Sequence, residues 1–385
     1  MTKKIDLEAI LSELGPRFAA RAAKLDETDS FVTENYNDLR QHKVFSALIP
    51  QAYGGGGADY VQMCEFLRGI AHHCPSTALS LSMHQHLIGT AVANDKAGRP
   101  GRPLLDKVAS SEIILVSTGA NDWLESNGSA QRVDGGYRVN AFKPFASGSP
   151  MGDVAVTSVA YDDPVEGPQV LHFPLPMTAD GVVFMDDWKT LGMRATGSQT
   201  VKFDNVFVPD EAIVMRRPRD EYHMAFSVIL TVALPLIMSA YVGVAEAAAS
   251  LARNRVKGRE DDTIAHFQVG EMETLLTTAQ ITRSDMIRHC NEYDFVPTIE
   301  LASNMLQRKT ICGDHVIATA EKALEVTGGA GFMRKFGLER FLRDAHGARF
   351  HPLPKKRQQL FTGRVAMDLD PVVFTAVSQQ QRSAA

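Results

Sequence analysis

The chain has 385 residues, 44% hydrophobic and 22% charged, enough for two or three domain-sized units with buried cores and unlike any fibrous or low-complexity class. A formal net charge of −5 argues against nucleic acid as a principal partner, because phosphate binding draws on clustered Lys and Arg; Lys355-Lys356-Arg357 reads as a solvated turn. Cys64, Cys74, Cys290 and Cys312 show neither a Cys-x-x-Cys pair nor zinc spacing, so we expect free buried thiols, no metal and a reducing, cytoplasmic setting; no apolar stretch follows Lys3 and Lys4 to make a secretory signal.

From Leu7 to about Arg99 apolar residues recur at three- and four-residue steps, as in Leu7, Ile10, Leu11 and Leu14, which predicts a helical unit over 1–110. Breaks are expected at Gly15-Pro16, at Asp26 to Asp29, and in the Pro50 to Gly57 loop with its run of glycines. Pro75-Ser76-Thr77 predicts a new helix capped by Ser76 or Thr77. His84 and His86 follow; two apart, they lie on different faces and make no simple metal pair. One is expected to be a hydrogen-bonded core histidine and the other partly exposed, with a substrate-pocket role as the alternative.

Between Glu112 and Asp210 the texture changes to short β-rich runs with turns at Asp134-Gly-Gly136, Asp162-Asp-Pro164 and Ala179-Asp-Gly181, predicting a barrel or sandwich over 111–215. Within Trp188 to Asp210, two short strands around a polar turn are expected, the second carrying Val201, Phe203, Val206 and Val208. A third unit, 216–385, opens with the apolar run Met224 to Ala247. Its length would permit a membrane span. Pro235, the small residues and the lack of a companion span favour a buried central helix instead, so no membrane is expected. Arg253, Arg255, Lys257 and Arg259 follow, and Phe267 begins a further helical pattern.

Trp188-x-x-Leu-Gly-x-Arg-x-Thr-Gly-Ser198 with Phe203-Asp-x-Val-x-Val-Pro209, and far downstream Glu325-Val-Thr-Gly-Gly-Ala-Gly-Phe332 with Leu338-Glu-Arg-Phe-Leu-Arg-Asp-Ala345, resemble motifs of the acyl-CoA dehydrogenase superfamily, in order and over nearly the whole chain. The resemblance implies an α+β multidomain fold: an N-terminal helical bundle, a middle β-barrel or sandwich and a C-terminal four-helix bundle. It implies FAD as cofactor, with FMN as the alternative. Ser117 or Thr118 stands where the superfamily hydrogen-bonds the flavin pyrimidine. Lys143-Pro-Phe-Ala-Ser-Gly148 is similar to the segment in which an aromatic residue covers one flavin face and a hydroxyl approaches the reactive ring nitrogen, which gives Phe145 and Ser147; this wording is closer to the superfamily's flavin monooxygenases. Arg255, with Arg253 close behind, matches a pyrophosphate-binding arginine, and the helix bearing His84 and His86 lines the substrate cavity. Gly328, Gly329 and Gly331 match a turn that lies against the adenosine-diphosphate part of FAD held mainly by a neighbouring subunit, implying a homotetramer or homodimer. They form no Rossmann fingerprint, since no strand or spaced acidic residue accompanies them.

Thioester dehydrogenation needs a base for the α proton. The superfamily's usual glutamate falls on Pro352, which cannot accept a proton, and Met224 to Ala245 holds no acid to replace it. His351 is the nearest titratable substitute. Oxidation of a CH–CH bond in an acyl-CoA or similar small molecule, with His351 as base and an electron-transfer flavoprotein as acceptor, is placed slightly ahead. A monooxygenase fed by a flavin reductase, and a non-catalytic flavin- or acyl-CoA-binding protein, are the alternatives.

Overall fold

Asp6 accepts a hydrogen bond from the Ala9 N–H, and from that cap helix α1 runs over Leu7–Glu27. It passes straight through Gly15-Pro16, where the sequence suggests a break. Burial of Leu14, Phe18 and Ala22 against the neighbouring helix offsets the roughly 3 kcal/mol that an interior proline costs. Gly15 makes that contact possible: a Cβ there would stand 2.5 Å from the His73 ring. The computed structural model describes residues 4–118 and 126–372.

Helices α2 (Thr33–Gln41), α3 (Tyr60–His73), α4 (Pro75–Lys96) and α5 (Arg102–Ser111) complete the first unit. Asp59 and Gln62 form a reciprocal capping box at the start of α3. Helix α4 opens at Pro75 itself, one residue ahead of the expected caps, and its Ser76 hydroxyl accepts from the Ala195 N–H of the middle unit instead.

Among the described residues eight strands follow: β1 (Leu115–Ser117), β2 (Ser129–Val133), β3 (Gly136–Ala146), β4 (Val154–Asp163), β5 (Gly167–Pro176), β6 (Val182–Phe184), β7 (Gln199–Pro209) and β8 (Met215–Pro218). They form two four-stranded sheets, ordered β1-β4-β5-β8 and β2-β3-β7-β6, with β1 and β4 parallel. Alternating residues from both, among them Val139, Val159, Phe173 and Phe203, fill one shared core, so the middle unit is a sandwich and not a closed barrel. Trp188 to Gly197 contains no strand; a single 3-10 turn, Arg194–Thr196, leads into β7. The alternation that suggested strands belongs to β7 alone, while Met193 and Gly197, both left-handed, hold the preceding segment in a compact turn.

Helix α6 (Ala225–Val256) is the axis of the last unit, with α7 (Thr263–Cys290) and α8 (Ile299–Thr327) beside it and α9 (Leu338–Ala345) and α10 (Lys355–Val365) at one end. It is long and apolar enough to cross a membrane, yet 94% of its most apolar window is enclosed by protein. It packs on α3, α4, α7, α8 and α9, and the helices of both ends of the chain therefore share one hydrophobic core. Arg343, paired with Asp26 and Glu339, and Asp344, which accepts from the Met193 N–H, fasten all three units together. The four cysteines are buried and free.

Candidate functional site

The site is built where β3 ends. The β3–β7 register shifts between Lys143 and Ala146, and Phe145 takes a positive φ of 63° that turns its side chain outward. Half of its surface is open, 48%, and its ring stands edge-on to Trp188 at 6.1 Å. The bulge is anchored from below by Lys143, fully buried, whose Nζ donates to the carbonyls of Ser158 at 2.5 Å and Asn127 at 3.0 Å.

Residues 145–149 lock onto 193–198. The Gly148 N–H donates to the Thr196 carbonyl at 3.0 Å, and Ser149 Oγ donates to the Gly197 carbonyl at 3.0 Å. Between them Ser147 Oγ lies 2.7 Å from Ser198 Oγ, which lies 2.7 Å from Thr196 Oγ1, which donates to the Met193 carbonyl at 2.9 Å. Both glycines are needed: Gly148 has φ +78° beneath the Tyr36 hydroxyl, and Gly197 has φ +54° against Phe31 and Pro150. Ser117 and Thr118 are buried at the end of β1, with Thr118 Oγ1 donating to Thr157 Oγ1 at 2.9 Å. The segment Gly119-Ala-Asn-Asp122 that follows them lies outside the described residues.

Helix α4 is enclosed on every side, so both its histidines are buried and neither is the partly exposed one expected. His84 is a cross-link. Its Nδ1 accepts from the Leu115 N–H at 2.9 Å and its Nε2 donates to the Phe45 carbonyl at 2.8 Å, which fixes the tautomer; burial lowers its pKa to about 4. His86 differs: it makes no cross-link to another element and faces only the backbone of Ser82 and Met83 in its own helix, and burial lowers its pKa to about 4 as well.

His351 follows α9, and its Nδ1 is enclosed and unpartnered. Its ring lies 6.5 Å from that of Tyr241. Burial lowers its pKa to about 3, helped by the charges of Lys309 and His86, and no carboxylate is among the groups acting on it. Lys309, buried on α8, donates to the Ala348 carbonyl at 2.8 Å, and its pKa falls to about 7 through desolvation. The structure thus brings His86 and His351 within reach of each other's charge and leaves His84 to hold the helix against β1.

The glycine turn divides by position. Gly328 ends α8 at φ +58°, and a Cβ on Gly331 would collide with Thr327 Oγ1 at 1.9 Å, whereas Gly329 faces open space. Arg255 is exposed on the last turn of α6. An open groove of about 510 Å³ beside it is lined by Arg253, Lys257, Arg259 and His266, but not by Arg255; Arg253 is ion-paired to Glu273.

An aromatic face left half open at Phe145, two residues from the Ser147 hydroxyl, is what a planar heterocycle would complete, and the enclosed Nδ1 of His351 is a further polar atom without a protein partner, although buried polar atoms otherwise find one. These residues fit a flavin. Thr196 and Ser198 beside Ser147, and Tyr241 and Lys309 beside His351, were not singled out from the sequence. Thr196 and Ser198 sit in the motif quoted above; Lys309 could have been noticed as the one charge on the apolar face Met305, Leu306, Cys312 and Val316.

The sequence profile "Acyl-CoA dehydrogenase, N-terminal domain" matches residues 13–97, and "Acyl-CoA dehydrogenase, C-terminal domain" matches 236–355. The chain is 25% identical to a dibenzothiophene monooxygenase of Rhodococcus erythropolis, covering 90% of this chain and 89% of that one. It is also 25% identical to the mitochondrial isovaleryl-CoA dehydrogenase of Solanum tuberosum, covering 89% and 85%. KijD3, solved with FMN and dTDP-3-amino-2,3,6-trideoxy-4-keto-3-methyl-D-glucose, has the same fold at a TM-score of 0.85 and 21% identity, over 94% of each chain. This is a flavin-dependent enzyme. The chain belongs to the acyl-CoA dehydrogenase superfamily.

Proposed function

We propose that the protein is the oxygenase of a two-component flavin monooxygenase, taking reduced flavin from a separate reductase and inserting one oxygen atom into a small, uncharged, largely apolar substrate while the other leaves as water. The observation that carries this reading is His351, kept neutral by burial beside His86, with an enclosed Nδ1 that has no protein partner and no carboxylate acting on it. A general base works best with a pKa near the working pH, and an imidazole lowered to about 3 is a weak acceptor for a thioester's α proton. A neutral imidazole serves instead to hold and orient an uncharged polar group by a hydrogen bond.

When bound, the flavin supplies two electrons and the site at which dioxygen is activated. The chain's own residues would do the rest: Phe145 would cover a ring face, Ser147 would meet the ring edge, Ser117 or Thr118 would contact the pyrimidine, and His351 would hold the substrate's polar group. FMN is the first choice to test, with FAD second. The Gly328 to Gly331 turn, with Phe332 81% exposed after it, suits a subunit contact in a homodimer or homotetramer, and the four buried thiols suit the cytoplasm.

Dehydrogenation of an acyl-CoA, with His351 as base and an electron-transfer flavoprotein as acceptor, is the second reading, favoured by the likeness to isovaleryl-CoA dehydrogenase over 89% of the chain. One pair of experiments separates them. With a flavin reductase, NADH and 18-oxygen gas, dibenzothiophene or indole as probe should gain one labelled atom. Anaerobic bleaching of the oxidised, protein-bound flavin by a panel of acyl-CoA thioesters, without labelled product in the first experiment, would overturn the oxygenase reading.

A further inference from the structure

The hydroxyl chain from Ser147 to Met193 has a direction. A carbonyl oxygen has no hydrogen and can only accept, whereas each hydroxyl has one hydrogen to give. Thr196 Oγ1, 2.9 Å from the Met193 carbonyl, therefore spends its hydrogen there. Ser198 Oγ, 2.7 Å from Thr196 Oγ1, must donate to it, and Ser147 Oγ, 2.7 Å from Ser198 Oγ, must donate in turn. Three contacts use three hydrogens, and no other arrangement satisfies them all. Reversing the chain would leave Thr196 Oγ1 against the Met193 oxygen with no hydrogen between them. That oxygen also accepts from Trp188 Nε1 at 3.1 Å and from the Thr196 N–H at 3.2 Å, which adds donors but no hydrogen of its own. Thr196, Ser198 and Ser147 are all buried, so bulk water offers no alternative partner, and a chain of aligned hydroxyls reinforces its own polarity.

We infer that Thr196 and Ser198 are positioning residues that turn the Ser147 hydroxyl hydrogen toward Ser198, so that Ser147 offers only lone pairs in other directions and the site favours the reduced flavin ring over the oxidised one. The inference rests on the reading that Ser147 borders the flavin. The ring nitrogen at issue carries a hydrogen when the flavin is reduced and a lone pair when it is oxidised. Ser147 as held here accepts from the first. Against the second it must face lone pair to lone pair, or break the chain behind it. A protein that receives its flavin already reduced would thus select the useful form at binding.

The test is the pair of dissociation constants for oxidised and photoreduced FMN, measured anaerobically by fluorescence titration, with FAD as a parallel probe. A preference for the reduced form of about tenfold is expected for the wild type, the scale of one buried hydrogen bond made or missed. In Ser198→Ala the Ser147 hydroxyl turns freely, and the preference should fall towards one. In Thr196→Val the Ser198 hydrogen has only Ser147 left to take it, Ser147 donates outward, and the preference should reverse. The two-electron midpoint potential of the bound flavin gives a second readout, since losing a tenfold preference lowers it by about 30 mV. Variants that merely loosened the loop would weaken both redox forms alike. Binding of both forms with one unchanged ratio across wild type and variants would overturn this inference and leave the flavin site standing. Failure of the wild type to bind either flavin in either form would overturn both.

Discussion

His84 offers the sharpest test of the fold, because the structure gives it two hydrogen bonds that only a neutral imidazole can make together. A free imidazole titrates near 6.5, and the buried one near 4. At about 1.4 kcal/mol for each pH unit between those values, protonation costs the folded state on the order of 3 kcal/mol. The folded pKa is the lower one, so the unfolded chain takes up the proton first. Stability is complete above pH 6.5, declines as the pH falls to about 4, and is level below that. Domains are typically stable by only about 5–15 kcal/mol, so the decline should be plain in a urea midpoint followed by tryptophan fluorescence at several pH values. His86 and His351 add slopes of the same sign. His84→Gln isolates the first contribution: an amide can still accept from Leu115 and donate to Phe45, but it does not titrate and gives up the edge contact with the Phe45 ring. At pH 7.5 the variant should be less stable by roughly 1–2 kcal/mol, for lost packing and imperfect hydrogen bonds. By pH 4.5 the gap should have closed or changed sign. A gap that stayed constant across that range would show that His84 does not titrate as the buried cross-link requires.

Lys309 tests the same logic with the opposite kind of group: its folded pKa of about 7 against 10.5 in the free side chain means that stability rises from pH 7 to 10, and Lys309→Met should remove that slope in thermal melts. Gly331→Ala should cost about 1–3 kcal/mol through the clash with Thr327, while Gly329→Ala, which meets nothing within 4 Å, should stay within about 0.5 kcal/mol; equal midpoints for the two would refute the close packing. Replacing His351 with Ala should cut substrate oxygenation roughly tenfold, the scale of one buried hydrogen bond to the substrate, and leave reduced-flavin affinity unchanged, and unchanged turnover would remove His351 from the substrate site.

The β-unit was readable because its turns, such as Asp134-Gly-Gly136, are local chemistry, and the observed β2–β3 hairpin falls on that turn. The apolar run to Ala247 likewise announced a buried helix, which α6 is. What failed were features decided by distant partners. Pro16 signals a break, yet the packing of α1 on α3 keeps the helix whole. His84 and His86 look alike in sequence, and only the carbonyl of Phe45 and the N–H of Leu115 tell them apart. Arg255 and Arg253 are two positions apart, and the shape of the groove, not their spacing, includes one and leaves out the other. Ser147 was found through its motif, but the partners that orient it lie 49 and 51 positions downstream, at Thr196 and Ser198, too far for local pattern to join them.

Because the helices before β1 and those after β8 bury a common set of apolar side chains, while the sandwich between them keeps a core of its own, the chain is modular in only one sense. A chimera with a homologue could exchange the sandwich as a cassette, with paired junctions near its two ends. A single crossover would split co-adapted helices between two parents and should yield insoluble protein.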